Sequence, residues 1–148
     1  MKITFFAVLL LSRLFGIGPQ TQERKSPIPL AFSKIPSNCE VNRARLEGYV
    51  KYFRELPGGD EDVIIVVARL GDGESLSELN RIRLEVVRAT LIKELGLREQ
   101  NVITAYGTKV GGYGRVDIYI GGKFVDSLLA NREKALCADC CYPEGKEY

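Results

Sequence analysis

Apolar positions repeat along the chain with two different periods, and the change from one to the other marks out the elements. Leu46, Tyr49, Val50 and Phe53 share one face at helical spacing, which predicts a helix over about 38–56. Ser37-x-x-Glu40 at its start has the form of a capping box, and Pro57-Gly58-Gly59-Asp60 ends it. A run of almost wholly apolar residues, Val63 to Leu70, predicts a central strand buried on both faces. Gly71-Asp72-Gly73 is a turn, and Ser75-x-x-Glu78 is a second capping box. The helix expected from Leu76 to Leu95 directs Leu84, Val87, Leu91 and Leu95 inward. Arg81, Glu85 and Arg88 share another face of it and can pair at helical spacing, and Gly96 stops it.

The remaining blocks are short and read as strands. Leu30 to Ile35 is expected as a first strand and Val102 to Tyr106 as a later one. After a glycine-rich turn at 107–114, Val116, Ile118 and Ile120 alternate with Asp117 and Tyr119, the pattern of a strand with one wet face. Gly121-Gly122 is a hairpin turn, and Phe124 to Leu129 returns as a last strand. The predicted fold is α+β: a two-layer sandwich in β-α-β-α-β-β order, helices on one face of a mixed sheet, with an extra C-terminal hairpin strand.

The ends differ from this centre. Lys2 followed by an apolar run from Ile3 to Leu11 has the design of a signal peptide, assigned to residues 1–18. The run is too short to span a bilayer, so no membrane span is expected after cleavage. Residues 19–29 (PQTQERKSPIP) form a polar, proline-punctuated linker, 30–130 the folded domain, and 131–148 a cysteine-containing tail. Export to the periplasm or cell envelope is expected. Loss of the leader removes Lys2 and Arg13 and no acids, which leaves bases and acids equal in number. A chain without excess positive charge lacks what a nucleic-acid surface requires.

Chemistry is constrained by what is missing. The chain contains no histidine, which removes the usual acid–base group near neutral pH together with Ser-His-Asp, Cys-His and His-ligated zinc sites. No enzymatic activity, metal or cofactor is expected. The four cysteines, Cys39, Cys137, Cys140 and Cys141, suit disulfides in an exported protein and allow three pairings. A bond between neighbours Cys140 and Cys141 is strained, so Cys39 is expected to join Cys140 or Cys141, with Cys137 taking the other. Such a link, closing a loop near ~100 residues, stabilises by roughly 4 to 5 kcal/mol in the chain-entropy model. Cys137-x-x-Cys140 also has redox spacing, which makes a thiol–disulfide protein a further reading. Gly111-Gly112-x-Gly114 lacks the lysine and the strand-to-helix setting of a phosphate loop. Tyr106, Tyr113 and Tyr119 read as half-buried sheet tyrosines in preference to a sugar platform. Arg81 and Arg83 read as surface charges.

One stretch carries a resemblance. Gly71-Asp72, eleven residues, Leu84-Glu85-x-x-Arg88-Ala89-x-x-Ile92 and Leu95 resemble the hallmark of the OmpA-like peptidoglycan-associated domain. Val102-Ile103-Thr104-Ala105-Tyr106-Gly107 and Gly114-Arg115-Val116-Asp117-Ile118 are similar to the strands that follow it. Asn80 stands at that family's helix asparagine, eight residues past the Asp. The resemblance implies noncovalent binding of the diaminopimelate residue of the peptidoglycan stem peptide. Asp72 would accept from the ammonium group and Arg88 would fork onto a carboxylate. Asn80 would order the loop, and the backbone from Gly73 onward would hold a second carboxylate. The alternative is an envelope interaction or scaffold protein that keeps the fold without the ligand.

Overall fold

Asn38 starts the first helix. Its side-chain oxygen accepts the Val41 N–H at 2.9 Å, which satisfies one of the donors a helix start leaves free. The computed structural model describes residues 34–58 and 61–137, and α1 spans Cys39–Arg54. The cap therefore lies one residue beyond Ser37, on a side chain that serves the purpose equally well. The leader and linker expected over 1–29 lie outside the described residues. So does most of the strand expected over Leu30–Ile35, of which Lys34 and Ile35 form a bend.

Four strands follow: β1 (Ile64–Arg69), β2 (Val102–Tyr106), β3 (Arg115–Ile120) and β4 (Lys123–Leu129). They lie in the order β2-β1-β3-β4. β1 is parallel to β2 and antiparallel to β3, and β3 and β4 are an antiparallel pair. Gly121 and Gly122 take φ of 55° and 75°, the left-handed values a two-residue hairpin turn needs. Between β1 and β2 runs α2 (Ser77–Ala89). No side chain caps it: Leu76 takes the cap position, so the Ser75-x-x-Glu78 spacing closes no box. The helix continues as a π turn, Thr90–Glu94, in which Leu95 N–H reaches back five residues to the Thr90 carbonyl at 3.0 Å. Gly96, at φ 71°, then releases the chain, and a 3-10 turn (Glu99–Asn101) leads into β2.

Both helices cover one face of the sheet, which makes an α+β sandwich of two layers. Leu46, Tyr49, Val50 and Phe53 of α1 and Leu84, Val87 and Leu91 of α2 close over Ile64, Val66 and Ala68 of β1 and Val116, Ile118 and Ile120 of β3. Leu95, expected inward, is only partly buried. Asp117 departs from the alternation. It is 2% exposed, because Arg69 and Ser127 donate to its carboxylate and Arg115 forms an ion pair with it. A strand face that looks wet in sequence is thus closed by its own arginines.

Asp126 of β4 points to the other side, into the helix layer. Arg45 and Tyr49 of α1 both donate to its carboxylate, and Arg45 also donates to the Ser127 carbonyl at 3.1 Å. Burial and the bond to Asp126 together push the Tyr49 phenol above its ordinary range. This triad ties α1 to the edge strand.

The directions of the strands decide what meets where. β1 and β2 end at the same end of the sheet, β3 begins there and, after the hairpin, β4 ends there. The N-terminus of α1 is held at that end by a disulfide between Cys39 and Cys137, Cα atoms 4.7 Å apart and 98 residues apart in sequence. This corrects the expected pairing of Cys39 with Cys140 or Cys141. The chain leaving β4 already runs toward Cys39 and arrives at Cys137 first. Cys140 and Cys141 lie outside the described residues.

Replacing Asp126 by alanine leaves the Arg45 guanidinium buried without its counter-charge, an expected loss of about 3 to 5 kcal/mol in urea unfolding. Tyr49→Phe removes one donor and costs about 1 kcal/mol. The double change Arg45→Met/Asp126→Leu restores most of the stability. A double variant as weak as Asp126→Ala would show that the triad contributes more than mutual neutralisation.

Candidate functional site

The chain leaves β1 through Leu70-Gly71-Asp72-Gly73-Glu74, and two of these side chains take opposite courses. Asp72 stays exposed. Its N–H donates to the Gly112 carbonyl at 2.8 Å, and its carboxylate accepts the Gly112 N–H at 2.7 Å, so the turn is clamped to the glycine-rich loop. Glu74 turns inward and is 1% exposed. It meets Arg83 of α2, which is fully buried, through two parallel bonds of 2.8 and 2.6 Å. That fork-to-fork geometry is the strongest form of the pair.

Backbone groups complete the arrangement. Glu74 also accepts the N–H of Gly71 at 2.8 Å and of Glu133 at 3.1 Å. Arg83 spends its other donors on the carbonyls of Lys134, at 3.0 and 3.2 Å, and of Asn131, at 3.4 Å. Lys109 donates to the Glu74 carbonyl at 2.7 Å. Two glycines are required by this packing. A Cβ at Gly114 would overlap Arg83 and Glu74, and one at Gly71 would overlap the backbone of 112–114. Burial pushes the Glu74 carboxyl up, but Arg83 and the two N–H groups outweigh it and bring it from 4.5 down to about 2.

Above this buried pair opens a cleft of about 450 Å³. Glu74 lies against it, and Asp72, Gly112, Tyr113, Asn131 and Arg132 line it. The Arg132 guanidinium lies over Gly73: a Cβ built on that glycine, whose φ is 78°, would be 3.5 Å from Arg132 Cζ. Neither Asp72 nor Arg132 has an ion-pair partner among the described residues. An acidic and a basic side chain thus share one open wall. A second groove, about 280 Å³ between α1 and Leu95, is lined by Glu47, Lys51, Arg54 and Glu55, whose charges balance.

The expected constellation is only partly assembled. Asp72 and Gly73 border the cleft, whereas Arg88 does not. It sits in the last turn of α2 and is bonded to Glu99, just before β2. β1 and β2 run parallel, so Glu99 lies at the end of the sheet opposite Asp72. Eleven residues of helix from Ser77 to Arg88 add roughly 16 Å of separation. Asn80 is buried on α2, does not line the cleft, and its Oδ1 has no hydrogen-bond partner among the described residues. Arg81 is a surface charge paired with Glu78 and Glu85. Arg83, expected at the surface, lies in the interior because it occupies the same stripe as Asn80, Leu84 and Val87. That stripe was visible in the spacing, and Arg132 had no such signal. Tyr106, expected as a half-buried sheet residue, is 65% exposed at the edge strand.

Cys137 is bonded to Cys39 and so is not held in a Cys137–Cys140 dithiol pair. Among the described residues there is no cluster of metal-ligating side chains and no helix long and apolar enough to cross a membrane. No protein-family model, curated protein or solved structure matches the chain.

The low Glu74 pKa sets a pH window with a definite sign. Its contribution is complete above about 4.5 and is lost as pH falls through about 2. Wild-type stability should fall by on the order of 3 kcal/mol across that interval from this group alone. Glu74→Gln, which leaves Arg83 uncompensated, should be less stable by about 3 to 5 kcal/mol at neutral pH. The gap should close toward pH 2 in urea titrations; a gap independent of pH would contradict the pairing.

Proposed function

We propose that this is an exported cell-envelope protein that binds a small charged ligand noncovalently, in the cleft at the C-terminal end of β1. The peptidoglycan stem peptide is the ligand that suits it. The observation that carries the reading is that Asp72 and Arg132 line the same open cleft, without ion-pair partners among the described residues. A diaminopimelate side chain ends in an ammonium and a carboxylate. Asp72 accepts from the first and Arg132 forks onto the second, as a guanidinium does with planar anions. Arg132 therefore takes the role that the OmpA-like resemblance assigns to Arg88. The disulfide supports an oxidising compartment, consistent with export.

The bond between Arg88 and Glu99 favours a second reading, an envelope scaffold that keeps the fold and holds no ligand. Sedimentation with insoluble peptidoglycan, and calorimetric titration with a soluble diaminopimelate-containing tripeptide, separate the two. Binding by the wild type is expected, with Asp72→Ala and Arg132→Ala each weakening it about tenfold or more, a loss of at least ~1.4 kcal/mol. Arg88→Ala should stay within about twofold. A wild-type protein that neither sediments nor takes up the peptide rejects the ligand and leaves the scaffold.

A further inference from the structure

Hydrogen bonds, core packing and a disulfide hold residues 131–137 in place, and Asn131 and Arg132 of this segment line the cleft. The Asn131 and Lys134 carbonyls rest on Arg83, and the Glu133 N–H rests on Glu74. Leu136 is 1% exposed in the core. At the far end, the Cys137 carbonyl accepts the Asn42 side-chain amide at 2.8 Å, beside the Cys39–Cys137 bond. Within this segment Glu133 has φ 56°, the one described non-glycine residue in the left-handed region. Such a conformation persists only where the surroundings over-determine it. The bond that closes the set is reachable: Cys137 is exposed and Cys39 half-buried.

We infer that the Cys39–Cys137 disulfide is a redox latch on the cleft: closed, it holds Arg132 and Asn131 in the ligand-binding wall, and cut, it lets that wall move away from Asp72. The inference rests on the cleft being the binding site. A dithiol reductant supplies two electrons and two protons. The Cys39–Cys137 bond becomes two thiols and the reductant becomes a disulfide. The latch has a physical rationale in the fold. The segment gains little from propensity, carries a left-handed glutamate, and is tied by bonds to two side chains that remain paired with each other without it. The helices and sheet share a core to which the segment contributes only Leu136.

Hydrogen exchange read residue by residue, on the full chain, tests the latch without any ligand. Oxidised protein is compared with protein treated with dithiothreitol and alkylated, and with Cys39→Ser/Cys137→Ser. In both opened forms the Glu133 amide should exchange about tenfold faster or more. Val66 and Ile118, in the centre of the sheet, should keep their protection. Unchanged exchange at Glu133 overturns the latch, and so does loss of protection throughout the sheet, which would make the bond a global staple. A redox response abolished by Cys140→Ser/Cys141→Ser would assign it to the tail cysteines and likewise overturn it. Titration of the same samples with the diaminopimelate tripeptide should show about tenfold weaker binding on opening. If Glu133 responds but neither form binds the peptide, the ligand reading fails and the latch stands as a conformational switch.

Discussion

A guanidinium withdrawn wholly from water, as Arg83 is, costs several kcal/mol unless every donor finds an acceptor and the charge finds a counter-ion. The fold meets that demand from three separate pieces of chain. Glu74 comes from the turn after β1, and the Lys134 and Asn131 carbonyls come from the segment after β4. Gly114, from the loop before β3, leaves room because it has no side chain. None of the three pieces has regular structure of its own. Moving Glu74 would strand a buried charge, and moving the segment after β4 would take backbone partners from a pair that stays joined. The desolvation cost makes the Glu74–Arg83 pair a modest source of net stability and a strong source of specificity: the competing arrangements are penalised more than the native one is rewarded.

The same device appears twice more. Asp126 fastens α1 to β4 through Arg45 and Tyr49, and Asp117 gathers Arg69, Arg115 and Ser127 on the sheet face away from the helices. Each carboxylate is nearly inaccessible, and each is met by groups from a different element. An ordinary apolar core, such as the one around Val66, Val87 and Ile118, tolerates sliding as long as volume is kept. Three buried carboxylates with named partners do not. The hydrophobic layer accounts for the collapse of helices onto sheet, and the ionic clusters fix how they sit.

That division also explains which parts were legible in sequence. Periodicity reports burial within one element, so the inward faces of both helices, the central position of β1 and the hairpin at Gly121-Gly122 could be read directly, although β1 is fully buried on one face and only half-buried on the other. An ion pair across nine residues and a loop, such as Glu74 with Arg83, leaves no period, so neither letter by itself announces its burial in the sequence. Asp117 was read as wet for the same reason. Arg83 is the instructive case, since its place in the Asn80–Leu84–Val87 stripe already argued for burial. At α1 the cap falls on Asn38 because it stands next to Ser37 and only geometry chooses between them, whereas at α2 Leu76 takes the cap position and no side chain caps the helix. Strain at Cys140–Cys141 does not decide the disulfide; the direction of the chain leaving β4, which brings Cys137 to Cys39, does.

Direction is also what relocates the candidate site. A helix that follows β1 carries its later residues steadily away from the end of the sheet where β1 stops, so Arg88 finishes beside Glu99 at the far end. A strand that returns does the reverse. β3 runs away from that end and β4 comes back to it, so the residues just past Leu129 are delivered to the turn that holds Asp72. The C-terminal hairpin strand is therefore the element that brings Arg132 to the cleft that Asp72 lines. The disulfide secures the same residues from the opposite side, by anchoring the segment to the start of α1. Cation, anion and staple converge at one end because each strand reversal in β2-β1-β3-β4 leaves them no other place to meet.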